Sequence, residues 1–276
     1  MTDDPSAPPT QLDHPLLPLA WRAARSAGAL LLSRRTAELV VATKSTRTDV
    51  VTQMDTASES LLVQMILTER PDDAILGEEG ADRPGSSGIR WVVDPLDGTV
   101  NYLYGLPGWA VSVAVERNGE AEVGVVEVPV YGETFAAVRG QGAIHVSGGK
   151  VEHLVPNAAE ELAQALVATG FGYAPERRAG QARALATILP RVRDIRRAGA
   201  AAVDLCWAAG GLVDCYYERG LQPWDRAAGI LIATEAGLVA GGPSGSAPSG
   251  DLTWLAPPNL ADQWQELLTR AGADRD

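Results

Sequence analysis

Two aspartates three residues apart, Asp94 and Asp97, stand at the end of an apolar run (residues 89–93) and are followed at once by Gly98 and Thr99. Like charges beside a hydrophobic strand end repel unless a cation lies between them. Carboxylate oxygens suit a hard divalent ion such as Mg²⁺, which keeps several waters and shares the phosphates of a substrate. Pro95 is expected to fix the turn between the acids. Gly98 would let the backbone approach a ligand closely. If residues 98–101 open a helix, their free N–H groups point where a phosphate would sit. Three more acidic segments fall at element ends: Asp49 with Asp55, Glu78 with Glu79, and Asp225 behind Trp224. Each has a plain reading as well. Asp55 suits a helix N-cap, Glu78 a solvated loop, and Asp225 a helix start favoured by the dipole.

The elements that must position these residues follow from periodicity. Residues 14–37 and 55–69 carry apolar positions at helical spacing, and Pro71 stops the second helix. Lys44-Ser-Thr reads as a polar loop. Residues 74–77 read as a short strand, and residues 81–88, rich in Gly, Ser and Pro, as a surface loop. From Ile89 to about Val146 strands dominate, with Asn118-Gly119 as a hairpin turn. Gly148-Gly149-Lys150 reads as a boundary. Beyond it, strand and helix alternate: strands at 165–169, 194–197, 213–217 and 253–256, helices at 176–189, 200–209, 224–235 and 259–270. The expectation is an α+β first half (14–150), an α/β second half (151–276) that completes the active site, and alternating helix and sheet layers overall. Residues 1–13, polar, acidic and proline-rich, read as a disordered tail.

The 276 residues carry a formal net charge of −12 and 46% apolar residues. A full core is available, and a nucleic-acid binder, whose footprint is basic, is disfavoured. A phosphate substrate is not, because bound Mg²⁺ reverses the local sign. Cys206 and Cys215 lack metal-type spacing and read as buried small hydrophobes, consistent with a reducing cytosol. No secretory pattern or membrane-span run is read, so a cytoplasmic protein is expected.

Taken together, these segments resemble the inositol monophosphatase family, Mg²⁺-dependent and lithium-sensitive phosphatases. Trp91-Val-Val-Asp-Pro-Leu-Asp-Gly-Thr-Val-Asn-Tyr102 is similar to the family's first signature and residues 224–237 to its second. Residues 49–55 and 76–80 resemble two further family segments. Residues 197–204 and 214–218 resemble the region that shapes the sugar pocket. The likeness runs from about Leu16 to Arg270. Tyr102 stands where Phe is common, and Ala200 and Gln222 lie at positions that vary with substrate.

The resemblance implies an αβαβα sandwich, a homodimer, and two to three Mg²⁺ ions. Glu78, Asp94 and the Leu96 carbonyl would hold the first ion and Asp94, Asp97 and Asp225 the second, with Glu78 assisting a third. Asp55 and Thr99 would orient the attacking water. The Gly98 and Thr99 amides would cradle the phosphate, and Asp97, the backbone of Gly199 and Ala201, and Glu218 would meet polyol hydroxyls. The substrate implied is a small phosphate monoester, myo-inositol 1-phosphate, attacked directly by water. That chemistry fits two cations, since monoester hydrolysis is among the slowest uncatalysed reactions. A carboxylate at Glu218 disfavours a second phosphate beside it, but not the histidinol amine. Histidinol phosphate is therefore the alternative substrate, and a regulatory or scaffolding role the alternative of another class.

Overall fold

The computed structural model describes residues 8–35, 41–43, 50–157 and 159–275. Two helices, α1 (Leu17–Arg34) and α2 (Gln53–Glu69), pair with one another and cover one face of a large sheet. Between them, β1 (Val41–Thr43) and β2 (Val50–Thr52) form a small antiparallel ribbon. The large sheet consists of β3 (Ala74–Gly77), β4 (Asp82–Arg83), β5 (Ile89–Asp97), β6 (Ala110–Arg117), β7 (Glu120–Val128), β8 (Glu133–Val138), β9 (Ala143–Ser147) and β10 (Lys150–His153). Its order is β10-β9-β8-β7-β6-β5-β3-β4, antiparallel except where β3 runs parallel to β5. The short helix α3 (Thr99–Leu103) follows β5 directly.

A second sheet of five strands has the order β12-β11-β13-β15-β14: β11 (Leu166–Thr169), β12 (Asp194–Arg196), β13 (Cys215–Glu218), β14 (Val239–Gly241) and β15 (Thr253–Ala256). Two helices, α5 (Ala201–Ala209) and α6 (Pro223–Glu235), lie between the sheets. The outer pair, α4 (Pro175–Ile188) and α7 (Ala261–Ala271), covers the small sheet. The layers thus run helix, sheet, helix, sheet, helix, the order that the family resemblance implies.

Side-chain alternation explains the layering. Trp91, Val93, Val111, Val113, Val115, Val123 and Val125 face α1 and α2 in one buried cluster. Their neighbours Val92, Ala110, Ala114 and Val126 face α5 and α6 in another. That second face is built from small residues, so a helix can lie close to it. A Cβ added to Gly124 would sit 2.9 Å from the Ala228 carbonyl oxygen of α6. Close approach of α6 matters because this helix carries Asp225.

Several expectations are corrected. Gly148 and Gly149, both at positive φ, form the hairpin turn joining β9 to β10, so the large sheet continues to His153, past the boundary placed at residue 150. Paired glycines satisfy a tight turn as readily as a linker. Part of the tail is ordered: Leu12 is buried in the α1–α2 core, and Asp13 exchanges backbone hydrogen bonds with the Gln141 side chain. The first helix begins at Leu17 rather than His14. The loop at 81–88 contains the two-residue edge strand β4, and β14 was not foreseen. Residues 1–7, the Lys44-Ser-Thr loop and Asp49 lie outside the described residues. Among the described residues no helix is long and apolar enough to cross a membrane, and both cysteines are buried and unpaired.

Candidate active site

Strand β5 does not stop at Asp94. It runs on to Asp97 through a bulge: Asp94 pairs with Ser112 and Asp97 with Ala110, so that Pro95 and Leu96 on one strand stand against Val111 alone on its neighbour. In a regular strand, residues an odd number apart face opposite sides. Ser112 and Ala110 are two apart and share a face, so the extra residue turns Asp94 and Asp97 to that common face. Pro95, which has no N–H to give the ladder, sits inside the bulge where no ladder donor is needed.

Other segments close on this point. Glu78 follows β3, the parallel neighbour of β5. Asp225 sits in the first turn of α6, and Thr99 opens α3. Gly98, at φ +87°, makes the corner between β5 and α3; a Cβ there would lie 3.0 Å from the Gly108 carbonyl oxygen and 3.1 Å from Ala200 Cβ. Only glycine satisfies both the left-handed backbone and the lack of room. Glu78, Asp94, Leu96, Asp97, Gly98, Thr99, Gly199, Ala201, Glu218 and Asp225 all line one cleft of about 420 Å³. The structure thus brings nearly every sequence-predicted site residue together.

Asp55 is the exception. It is fully buried and does not reach the cleft wall. Its Oδ1 accepts from the Thr99 hydroxyl at 2.8 Å, and its Oδ2 from the Thr52 amide at 2.8 Å and hydroxyl at 2.6 Å. The N-cap of α2 is Thr52, and Asp55 is the reciprocal third residue of a capping box. The plain reading of Asp55 therefore holds, and among the described residues its hydrogen-bonded link to the cleft runs through Thr99. Thr99 Oγ1 has one proton and two acceptors in reach, Asp55 and the Leu96 carbonyl at 3.1 Å. The carboxylate is the stronger acceptor.

Three of the cleft aspartates share one device: each ties an oxygen to backbone. Asp94 Oδ1 accepts from the Leu96 amide at 3.0 Å, Asp97 Oδ2 from the Ala202 amide at 2.6 Å, and Asp225 Oδ2 from the Gln222 amide at 2.6 Å. Asp225, like Asp55, occupies the third position of a capping box.

These acids are held against their own repulsion. Burial, then the charges of Glu78, Asp97 and Asp225, push the Asp94 carboxyl well above its usual range. Burial, then Asp97 and Glu78, do the same to Asp225. Burial raises Asp97 to about 7, against the Ala202 hydrogen bond. It also raises Glu218 to about 7, against the Tyr216 hydroxyl, which donates to Glu218 Oε2 at 2.7 Å, and against Arg197. Asp55 is raised by burial despite its hydrogen bonds to Thr52 and Thr99.

Among the described residues no three His, Cys, Asp or Glu side chains stand in closed ligating geometry. The donor set still suits a hard cation: buried carboxylates with one oxygen anchored by an amide and mutually raised pKa values, which a divalent ion would relieve. The sites proposed for Mg²⁺ rest on this chemistry.

Sequence reasoning missed the residues that hold the bearing segments. On α2, Ser58 Oγ donates to the Pro95 carbonyl at 2.8 Å, fixing the bulge. Glu59 accepts from the amides of Glu79 at 2.8 Å and Ala81 at 3.1 Å, fixing the loop that carries Glu78. Gly77 leaves room for this carboxylate, since a Cβ there would lie 2.2 Å from Glu59 Oε2. With Asp55, these two make an i, i+3, i+4 set on one helix face, each gripping a different part of the site. Asp204, 1% exposed and lining the cleft, was also overlooked; burial, then Glu218 and Asp97, push its carboxyl well up, and its Oδ1 has no hydrogen-bond partner.

Residues 12–274 match the inositol monophosphatase family. An inositol-1-monophosphatase of Mycobacterium leprae is 46% identical over 237 residues, 83% of this chain and 81% of that protein. The Nus factor SuhB of Pasteurella multocida is 42% identical over 229 residues, 81% of this chain and 84% of that protein. The crystal structure of the extragenic suppressor protein suhB from Bartonella henselae superposes with a TM-score of 0.87 at 31% identity, covering 93% of this chain and 99% of that one. The chain belongs to the inositol monophosphatase family.

Proposed function

We propose that this protein is a Mg²⁺-dependent phosphomonoesterase that hydrolyses myo-inositol 1-phosphate, or a related inositol monophosphate, by direct in-line attack of water. The observation that carries this reading is the convergence of Glu78, Asp94, Asp97 and Asp225 on the cleft that also holds Gly98 and Thr99. Glu78, Asp94, Asp97, Asp225 and the Leu96 carbonyl would hold the metal. When bound, Mg²⁺ supplies charge neutralisation and a more acidic water. The chain does the rest. Thr99, donating its proton to Asp55, keeps lone pairs with which to orient a water. The Gly98–Thr99 corner offers amides to the phosphate. Glu218, held by Tyr216, accepts hydroxyl bonds from a neutral polyol, and Gly199 and Ala201 form the wall beside Asp97.

The test is phosphate release from a panel of esters with Mg²⁺ and with excess chelator. We expect inositol 1-phosphate to lead and chelator to abolish turnover. A much larger kcat/KM for histidinol phosphate would replace the substrate, and full turnover in chelator would remove the metal. Mg²⁺ should also raise the melting temperature, because it binds only the folded acids.

The name of the Pasteurella relative favours a second reading, a role in transcription through partners. Asp97→Asn separates the two: a cellular function that survives loss of turnover belongs to the second.

A further inference from the structure

The outer part of the same cleft holds a cation without a counter-charge. Arg177 lies in the first turn of α4 and lines the cleft. Its side chain is half-buried, and among the described residues its guanidinium has no hydrogen bond, ion pair or ring contact. A chain of net charge −12 does not lack acids to pair with it. The first turn of a helix is also where the dipole disfavours a cation. Five donors partly withdrawn from water and left unmatched are costly unless a ligand uses them.

The surroundings are shaped for this side chain. A Cβ on Gly172 would lie 2.5 Å from Arg177 Cδ, and one on Gly220 would lie 2.5 Å from its Nη1. Gly172 is on the exit of β11 and Gly220 on the exit of β13. Two residues nearer the sheet on the same two exits stand Gly170 and Glu218, where a Cβ on Gly170 would lie 2.1 Å from the Glu218 carboxylate. The wall thus carries a carboxylate, Glu218, at the strand end and a guanidinium, Arg177, packed beyond it. Arg197, by contrast, is engaged electrostatically by Asp204 and Glu218.

We propose that Arg177 is an anion subsite. It takes a second acidic group, phosphate or carboxylate, at the far end of a polyol whose scissile phosphate sits at the Asp94 cluster and whose hydroxyls meet Glu218. The inference rests on the phosphomonoesterase reading and deepens it. A guanidinium fork suits either anion bidentately. Glu218 repels an acidic group beside itself, so the second charge is admitted only beyond it, at Arg177.

The test compares kcat/KM for sorbitol 6-phosphate, which has a neutral far end, with 6-phosphogluconate and fructose 1,6-bisphosphate, which end in carboxylate and phosphate. We expect wild type to favour at least one anionic ester, Arg177→Gln to lower that preference about tenfold, and Arg177→Lys to recover part of it. The arm that falls identifies the group. A preference ratio unchanged within twofold in Arg177→Gln, or no anionic preference in wild type, overturns the proposal. Calorimetric binding of fructose 6-phosphate against fructose, without metal, reads the same subsite without turnover. There we expect the wild-type advantage of the phosphorylated sugar to shrink at least fivefold in Arg177→Gln; equal ratios count against the subsite. Should no ester release phosphate, the phosphatase reading fails and the calorimetric ratio alone decides Arg177.

Discussion

The parallel strands β3 and β5 have acids at both ends, treated in opposite ways. At the end where the chain enters, Asp73 is 1% exposed and fully matched. Arg70 Nε and Trp91 Nε1 each donate to its Oδ2 at 2.9 Å, and Arg70 Nη2 donates to Oδ1 at 3.1 Å. Burial opposes its ionisation, but the hydrogen bonds from Arg70, Ser87 and Trp91 outweigh that and hold its carboxyl below the usual range. At the end where the chain leaves, three residues beyond Trp91, Asp94 is equally buried and faces other acids. Burial alone therefore does not tell a structural acid from a functional one; the sign of the neighbours does. The end proposed to hold the metal is also the carboxyl end of the strands, where open α/β sheets place their ligands.

That contrast can be broken most sharply at Asp94. Asp94→Asn should lower phosphate release about a thousandfold or more. In metal-free protein it should raise the melting temperature, because one repelling charge is gone. A metal-free variant less stable than wild type would show that the acids are not under strain. At the other end, Asp73→Ala should cost about 2 kcal/mol in urea unfolding, since it leaves the buried Trp91 indole N–H without its acceptor, with kcat nearly untouched. A loss of less than ~1 kcal/mol would mean the bond is not net stabilising.

Acid titration sharpens the same point. A carboxyl depressed in the folded state contributes stability that is complete above its ordinary value, near 4, and is lost as pH falls through the lowered value. Wild type should lose this contribution only in strong acid, and Asp73→Asn should lack that part of the slope when melting is followed from pH 5 to pH 2. The smallest expected effect is at Glu59. Glu59→Gln keeps an acceptor for the Glu79 and Ala81 amides but weakens both bonds. We expect about a tenfold fall in kcat, about 1 kcal/mol of stability lost, and an unchanged KM. A change in KM alone would place Glu59 in binding rather than in positioning Glu78.

The two ends were unequally legible in the sequence. Asp94, Asp97 and Gly98 stand out because acids and a glycine interrupt an apolar run, a conflict that local rules do not tolerate without a ligand. Asp73 follows Asp72 in what reads as an ordinary polar turn, and its partner Trp91 reads as core. Ser58 and Glu59 look like the solvent side of an amphipathic helix, since periodicity reports which face is apolar and not which polar residue reaches across a loop. The bulge was invisible for a related reason: pairing register belongs to two strands at once, and β5 alone suggested a turn at Pro95. Leu12 was read as tail because its neighbours are acidic and proline-rich, yet one leucine in reach of the α1–α2 core is enough to order it. Arg177 was passed over because a basic residue near a helix start has no periodic signature of its own.

Asp55 and Asp225 each complete the start of a helix while serving the cleft. Anyone transplanting this centre into another scaffold would have to carry the opening turns of α2 and α6 with it, not a handful of isolated side chains. For the same reason an alanine at either position confounds two losses, unwinding and chemistry. Asparagine, which still accepts from the capping amide, is the replacement that separates them.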